Sequence, residues 1–113
     1  IKVGQNRTMT IGANDKIKVA DNRDTKIGKN ETLDVGQKIT IKAGTEIEIS
    51  AGTKITLKVG ASSITMDGSS IEIKTVTLKT EGMVMAEHKG GGANKAALDP
   101  SGVTINGVLV RIN

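Results

Sequence analysis

Residues 33–60 read LDVGQKITIKAGTEIEISAGTKITLKVG, and two periods run together through this stretch. Glycine returns every eight residues, and apolar residues occupy alternate positions between the glycines. Strict alternation of apolar and polar residues predicts β-strands with one buried and one wet face. A fixed repeat of this length predicts strands stacked along an axis, because one eight-residue unit cannot bury its own apolar face.

The eight-residue unit, called the octad below, extends from this stretch in both directions. Ala20 stands in the one slot of the series that lacks glycine. We expect the glycines to lie at the corners of the stack, where the backbone needs positive φ or close approach. These corner residues are Gly4, Gly12, Gly28, Gly36, Gly44, Gly52, Gly60 and Gly68.

Up to residue 60 the apolar residues have odd numbers, with Ala20 as the exception. Because eight is an even number, each octad returns the same side of the chain to the interior. Residues 36–60 are the most regular part, and we expect them to be the driest and most rigid. The core predicted there consists of Ile39, Ile41, Ile47, Ile49, Ile55, Leu57 and Val59.

Composition narrows the architecture further. The 113 residues include no aromatic side chain and no cysteine. Aromatic residues bury about 150–250 Å² each in ordinary cores, so a compact globule without them is disfavoured. The octad with Val-Gly corners fits three chains that wind around one axis. We therefore predict an all-β fold, an intertwined homotrimeric triple-stranded β-helix with a modified C-terminal tip.

Several segments carry the signature of a known family. They are Val3–Thr8 (VGQNRT), Ile11–Asn14 (IGAN), Ile27–Thr32 (IGKNET), Pro100–Gly107 (PSGVTING) and Val110–Asn113 (VRIN). Together they resemble the C-terminal β-helix spike of VgrG, the spike protein of the type VI secretion system. They are also similar in kind to the cell-puncturing needles of contractile-tailed phages.

The resemblance implies a non-enzymatic structural needle at the tip of a contractile injection machine. Such a needle is a homotrimer that attaches to the rest of the spike and tube and contacts a target membrane transiently. It carries a PAAR-type tip protein or an effector, is assembled in the bacterial cytoplasm and is then injected out of the cell. The family's spike has no catalytic residues, so none are carried over. On this basis the candidate tip-partner contacts are Met83, Met85, Val108, Val110 and Ile112.

The octad becomes irregular after Gly60, because apolar residues change from odd to even positions and back again. We expect a regular shaft over residues 1–68, an irregular continuation over 69–85 and a tip over 86–113. Residues 86–100 contain Gly90-Gly91-Gly92 and predict a loop, with a short helical turn at Asn94–Leu98 as a variant. Asn106-Gly107 is either a hairpin turn or another corner.

Three positions after the glycine slot, on the parity of the apolar residues, the first octads carry Arg7, Asp15, Arg23 and Glu31. Either they stack as layers of alternating sign near the axis, or they lie near corners and reach water. His88 is the single histidine and lacks the second histidine of the His-x-His iron site known from some phage spikes. The sequence therefore predicts no metal, no cofactor and no enzyme active site.

A different class of function rests on charge. The net charge is +4, and lysines such as Lys38, Lys42, Lys54 and Lys58 lie on the even-numbered face. This face would suit a repetitive binding module for a polyanion such as nucleic acid or envelope polysaccharide. Mixed charges without aromatic residues are more typical of a solvated surface, so we expect no specific nucleic-acid binding.

Overall fold

The computed structural model describes residues 1–113 and contains strands, turns and bends but no helix. The all-β class predicted from the alternation is therefore confirmed. Six strands form two antiparallel three-stranded meanders, sheet 1 with order β1-β2-β3 and sheet 2 with order β4-β5-β6. The strands are β1 (Lys54–Val59), β2 (Ser62–Asp67), β3 (Ile71–Lys74), β4 (Ala86–Gly90), β5 (Asn94–Asp99) and β6 (Gly102–Asn106).

The chain divides into two units, residues 1–43 and 44–113. Up to residue 53 the backbone forms no strand pair and bends at intervals of eight residues. The bends lie at Gly4-Gln5, Gly12-Ala13, Ala20-Asp21, Gly28-Lys29, Gly36-Gln37, Gly44-Thr45 and Gly52-Thr53. Every bend thus begins at the glycine slot of an octad, including the slot that holds alanine.

Positive φ does not explain these glycines. It occurs only at Gly60, Gly92 and Gly102, so of the two predicted reasons for glycine, positive φ or close backbone approach, the first does not apply at the earlier corners. Ala20 fits this finding, because alanine accepts the ordinary φ of the bend. A Cβ built on any octad glycine would meet no heavy atom of its own chain within 4 Å. Only a neighbouring chain could crowd these positions.

Sheet 1 explains the change of parity after Gly60. Val59 pairs with Ser62 across a two-residue turn, and Gly60 in that turn has φ 55° while Ala61 does not have positive φ. This is the pattern of a type II′ hairpin turn. A two-residue turn pairs odd with even numbers, so apolar residues stay on one face although their numbering shifts. The continuation of the octad to residue 68 is therefore replaced by a hairpin, and residue 68 lies in the β2–β3 turn.

Sheet 2 corrects the prediction for residues 86–100. They form β4, a tight turn and β5 rather than a loop, and Asn94–Leu98 is extended rather than helical. The three residues Gly91-Gly92-Ala93 make the whole turn, with φ 70° at Gly92. The alanines of β5 are extended because β5 is the central strand and has partners on both sides. β6 ends at Asn106 with no strand after it, so the hairpin alternative for Asn106-Gly107 is wrong.

Aspartates stabilise two of the turns. Asp67 Oδ1 accepts hydrogen bonds from the backbone N–H groups of Ser69 at 2.9 Å and Ser70 at 2.8 Å. These bonds, the one from Ser69 first, lower the pKa of Asp67 below its usual value. In the β5–β6 turn the hydroxyl and the N–H of Ser101 donate to Asp99 Oδ1, and they lower the pKa of Asp99 in the same way.

The isolated chain has almost no core. Ala97, at 3% exposure, is the single buried residue. The accessible surface is 12026 Å², whereas a compact monomer of this mass would expose about 5,900 Å². The chain as it stands therefore exposes about twice the surface of a self-contained domain. No helix of the structure is long and apolar enough to cross a membrane.

Candidate assembly surfaces

The backbone of residues 1–53 is the first surface that requires a partner. Outside the sheets, the chain has one backbone–backbone hydrogen bond, from Asp67 N–H to the carbonyl of Ser70 at 3.0 Å. The N–H and C=O groups of residues 1–53 therefore have no backbone partner within their own chain. Extended, unpaired backbone is a template for pairing with another strand.

The apolar stripe of the octads is the second such surface. The odd-numbered apolar side chains before β1 are all exposed, with Ile41 at 74% and Ile49 at 73%. Among the predicted core residues Ile39, Ile41, Ile47, Ile49, Leu57 and Val59 are exposed in the single chain, and Ile55 is half-buried. Contiguous exposed apolar surface on this scale is typical of an interaction site.

Sheet 1 continues this stripe across three strands. Directly opposed residues lie on the same face of an antiparallel sheet. The register aligns Ile55, Met66 and Ile71 in one row. It aligns Leu57, Ile64 and Ile73 in the next row. The other face carries polar rows such as Thr56, Thr65 and Glu72. One face of sheet 1 is therefore apolar apart from Ser62, which pairs with Val59 at the end of the sheet. Sequence reasoning missed this face because the hairpin register was not recognised.

Sheet 2 also has one apolar face. Its rows are Ala86, Leu98 and Val103, then His88, Ala96 and Ile105. His88 therefore lies in an apolar row. The opposite face is polar around the buried Ala97, and Glu87 there forms ion pairs with Lys89 at 3.0 Å and with Lys95 at 3.9 Å. No group of three or more His, Asp or Glu side chains has the geometry to hold a metal ion.

The five candidate tip-partner residues are all exposed but do not form one patch. Met83 lies beside Leu98 and Pro100, at the end of β5. Val108 and Val110 lie beside Asn94 and Lys95, at the start of β5. The two groups therefore occupy opposite ends of sheet 2, and Met85 directly precedes β4.

The charged residues three positions after the glycine slot are exposed in the single chain. The ion pairs of the chain both involve Glu87, so none of these four residues is paired within its own chain. Any charged layers would have to form between chains. The four residues are Arg7, Asp15, Arg23 and Glu31.

Comparison with known families accounts for these surfaces. A family model described as the bacteriophage T4 gp5 C-terminal trimerisation domain matches residues 1–66, which is more than half of the chain. The match covers all seven bends, the whole of β1 and most of β2. No curated protein and no solved structure matches the chain. The chain therefore belongs to the family of the bacteriophage T4 gp5 C-terminal trimerisation domain.

Proposed function

We propose that this chain is the trimeric, non-enzymatic needle of a contractile injection machine of the type VI secretion kind. Membership of a trimerisation-domain family gives the chain a structural role as one strand-contributing member of a homotrimer. The observation that carries the proposal is the unpaired backbone of residues 1–53 beside an exposed apolar stripe.

Three copies that wind around one axis would give a partner both to the unpaired backbone and to the exposed apolar stripe. Each chain supplies a strand to one face of the shaft and then bends at the glycine slot to the next face. Neighbouring copies then pair their backbone groups at about 4.8 Å spacing, and the odd-numbered side chains meet at the axis. Closure of the three chains on one another also removes free strand edges, which would otherwise invite aggregation.

The type VI part of the proposal rests on the VGxNxT-like repeats and on the PSGVTING and VRIN segments. By that resemblance the chain is the end of a VgrG spike, assembled in the bacterial cytoplasm and injected with the rest of the spike. It carries a PAAR-type tip protein or an effector to a target envelope. The chain itself is proposed to do no chemistry and to hold no cofactor.

The decisive experiment is the mass in solution, measured by light scattering with refractive-index detection because the chain lacks Trp and Tyr. The expected result is a trimer that persists on dilution and on moderate heating. A monomer over the same concentration range would contradict the needle, and it would favour a single-chain binding module for polyanions instead.

The proposed tip contact has its own test. Met83→Glu and Val110→Glu place a charge at opposite ends of sheet 2, and Thr104→Glu places the same charge on its polar face. Binding of a PAAR-type protein to the purified trimer is measured for each variant. We expect one of the first two to lose binding and Thr104→Glu to retain it. Full binding by all three variants would argue against this placement of the partner.

A further inference from the structure

The two sheets have the same meander order, and their second hairpins have the same register. Their first hairpins differ by one residue, because the turn has two residues in sheet 1 and three in sheet 2. β1 and β4 begin at Lys54 and Ala86, and β2 and β5 span Ser62–Asp67 and Asn94–Asp99. β3 and β6 end at Lys74 and Asn106, so all these equivalents differ by 32 in residue number, which is four octads. We name residues 54–81 module 1 and residues 86–113 module 2.

The equivalence extends to individual residues. The first turn of each module contains a positive-φ glycine, Gly60 or Gly92, and the aspartates that accept the N–H groups of the second turn are also 32 residues apart. The positive φ of Gly102 has no counterpart in module 1. Identical side chains recur across the two modules. The identical pairs are Gly60 and Gly92, Ala61 and Ala93, Asp67 and Asp99, Ser69 and Ser101, Ile73 and Ile105, and Val76 and Val108.

The surroundings of the sheets are repeated as well. A groove in module 1 is lined by Ser63, Ile73 and Leu78, among others. Its counterpart in module 2 is lined by the equivalent residues Lys95, Ile105 and Val110. In both modules the side chain of the first residue of the central strand forms a hydrogen bond with the segment that follows the third strand. Ser62 Oγ lies 2.9 Å from Thr75 Oγ1, and Val108 N–H donates to Asn94 Oδ1 at 3.3 Å.

The apolar faces of the two modules do not cover each other. The strands that contact one another all belong to the same sheet, and no strand of sheet 1 contacts a strand of sheet 2. Each face therefore lacks a partner in its own chain, and Leu57, Ile64, Ile73 and Ile105 are all exposed.

We propose that both modules are packing units of the trimer, each placing its apolar face against the same face of the two other copies. This inference rests on the proposed trimer. Continuity argues for it, because the trimerisation-family match runs through β1 and most of β2. The register then joins Ile64 to Ile73 of β3 on the same face. Module 2 repeats that face four octads later, beyond the family match.

The two modules differ in how much apolar volume they offer. In the middle row of the face, module 1 has Leu57 and Ile64 where module 2 has His88 and Ala96, and isoleucine closes the row in both. His88 takes the place of Leu57 although it lies only 31 residues later, because the first strand of module 2 is offset by one residue. Smaller and more polar side chains bury less apolar area. Module 2 therefore packs more weakly than module 1.

Spin labels can be placed at single chosen positions to test this arrangement, because the 113 residues contain no cysteine. Ile73→Cys and Ile105→Cys place a label on the apolar face of each module. Glu72→Cys and Thr104→Cys place it one residue earlier, on the polar face of the same strands. Ala96→Cys is a second apolar-face position in module 2 with little change in volume. Light scattering on every labelled sample establishes its mass.

In a trimer packed through both modules, labels on the apolar faces approach to about the 10 Å spacing of packed sheets. The expected result is strong dipolar broadening for Ile73→Cys, Ile105→Cys and Ala96→Cys and none for Glu72→Cys and Thr104→Cys. The broadening should disappear when labelled chain is assembled with excess unlabelled chain. A trimer in which the Ile105→Cys and Ala96→Cys labels show no broadening overturns the inference while the proposed function stands. A monomeric sample of unsubstituted chain overturns both.

Discussion

Two stretches of this chain have nearly the same sequence and different structures. Residues 38–44 read KITIKAG and residues 54–60 read KITLKVG. The first stretch is extended, exposed and without a backbone partner, whereas the second is β1 and the first residue of a hairpin turn. Alternation therefore specifies a strand and its apolar face, but it does not specify which strand will be the partner.

The turn after each stretch makes the difference. Gly44 has ordinary φ and is followed by Thr45, and the chain bends and continues forward. Gly60 has φ 55° and is followed by Ala61, and the chain reverses. A glycine at the first central position of a two-residue turn permits that reversal. Local turn chemistry thus determines whether the apolar stripe pairs within the chain or is left for other copies.

The largest expected effect comes from a charge on the unpaired stripe. Ile41→Asp would place a carboxylate at the axis in each copy of the trimer, with no partner in its own chain. Desolvating an unpaired carboxylate costs on the order of 5 kcal/mol per chain, so we expect the trimer to dissociate. The matched variant Thr40→Asp puts the same group on the wet parity and should change stability by less than about 0.5 kcal/mol. Light scattering and thermal unfolding measure both, and equal behaviour would contradict an apolar axis.

The second largest expected effect is the loss of stability when valine replaces a bend glycine. It distinguishes crowding by other copies of the chain from strain within one chain. Valine at Gly44 would meet no atom of its own chain, and the same holds at Gly91 in the β4–β5 turn. Overpacking between copies at a bend should cost about 1–3 kcal/mol for Gly44→Val. Gly91→Val should cost much less, because no copy is expected to approach that turn. Chemical denaturation of the two trimers measures the difference, and equal stabilities would show that the bends are not crowded by neighbours.

A third substitution tests the reversal itself. Gly60→Ala forces a Cβ into left-handed backbone, which costs about 1–2 kcal/mol. If residue 60 were instead another bend with ordinary φ, alanine would be tolerated there as it is at position 20. Gly68→Ala is the control, because Gly68 has neither positive φ nor a crowding atom. Denaturation midpoints that are the same for both variants would favour a continued octad over the hairpin.

These contrasts also show what the sequence predicts and what it leaves open. The odd-numbered apolar residues and the spacing of the bends were readable from residues 1–53, because each octad repeats one local pattern. The reversal at Gly60 was not readable, since Val59-Gly60 looks like every earlier Val-Gly pair. Residues 94–99 were misread because their alanines carry no alternation, and their strand depends on partners supplied by β4 and β6.

The same limit applies to the candidate site. Met83 and Val108 were grouped by their apolar character and position near the tip. Strand register then separated them, because β5 lies between the two grooves beside which they lie. Conversely, the apolar row that holds His88 became visible only when register placed Ala96 and Ile105 next to it. Faces built from several strands depend on pairing, which a single sequence specifies weakly.

The smallest expected effect is a dependence on pH that arises in the β2–β3 turn. The pKa of Asp67 is lowered in the folded chain because its carboxylate accepts the N–H groups of Ser69 and Ser70. The stabilisation by this carboxylate is therefore fully present above the unfolded pKa of about 3.9 and is lost as pH falls through the lower folded value. Asp67→Asn should remove this part of the acid sensitivity, because its amide oxygen accepts the same bonds at any pH. Asp34→Asn removes the same charge from a carboxylate that accepts no hydrogen bond. We therefore expect it to leave unchanged the loss of stability at low pH that arises from Asp67. Thermal unfolding between pH 2 and pH 7 compares the three chains, and identical curves for Asp67→Asn and the unsubstituted chain would show that this turn does not form in the assembled protein.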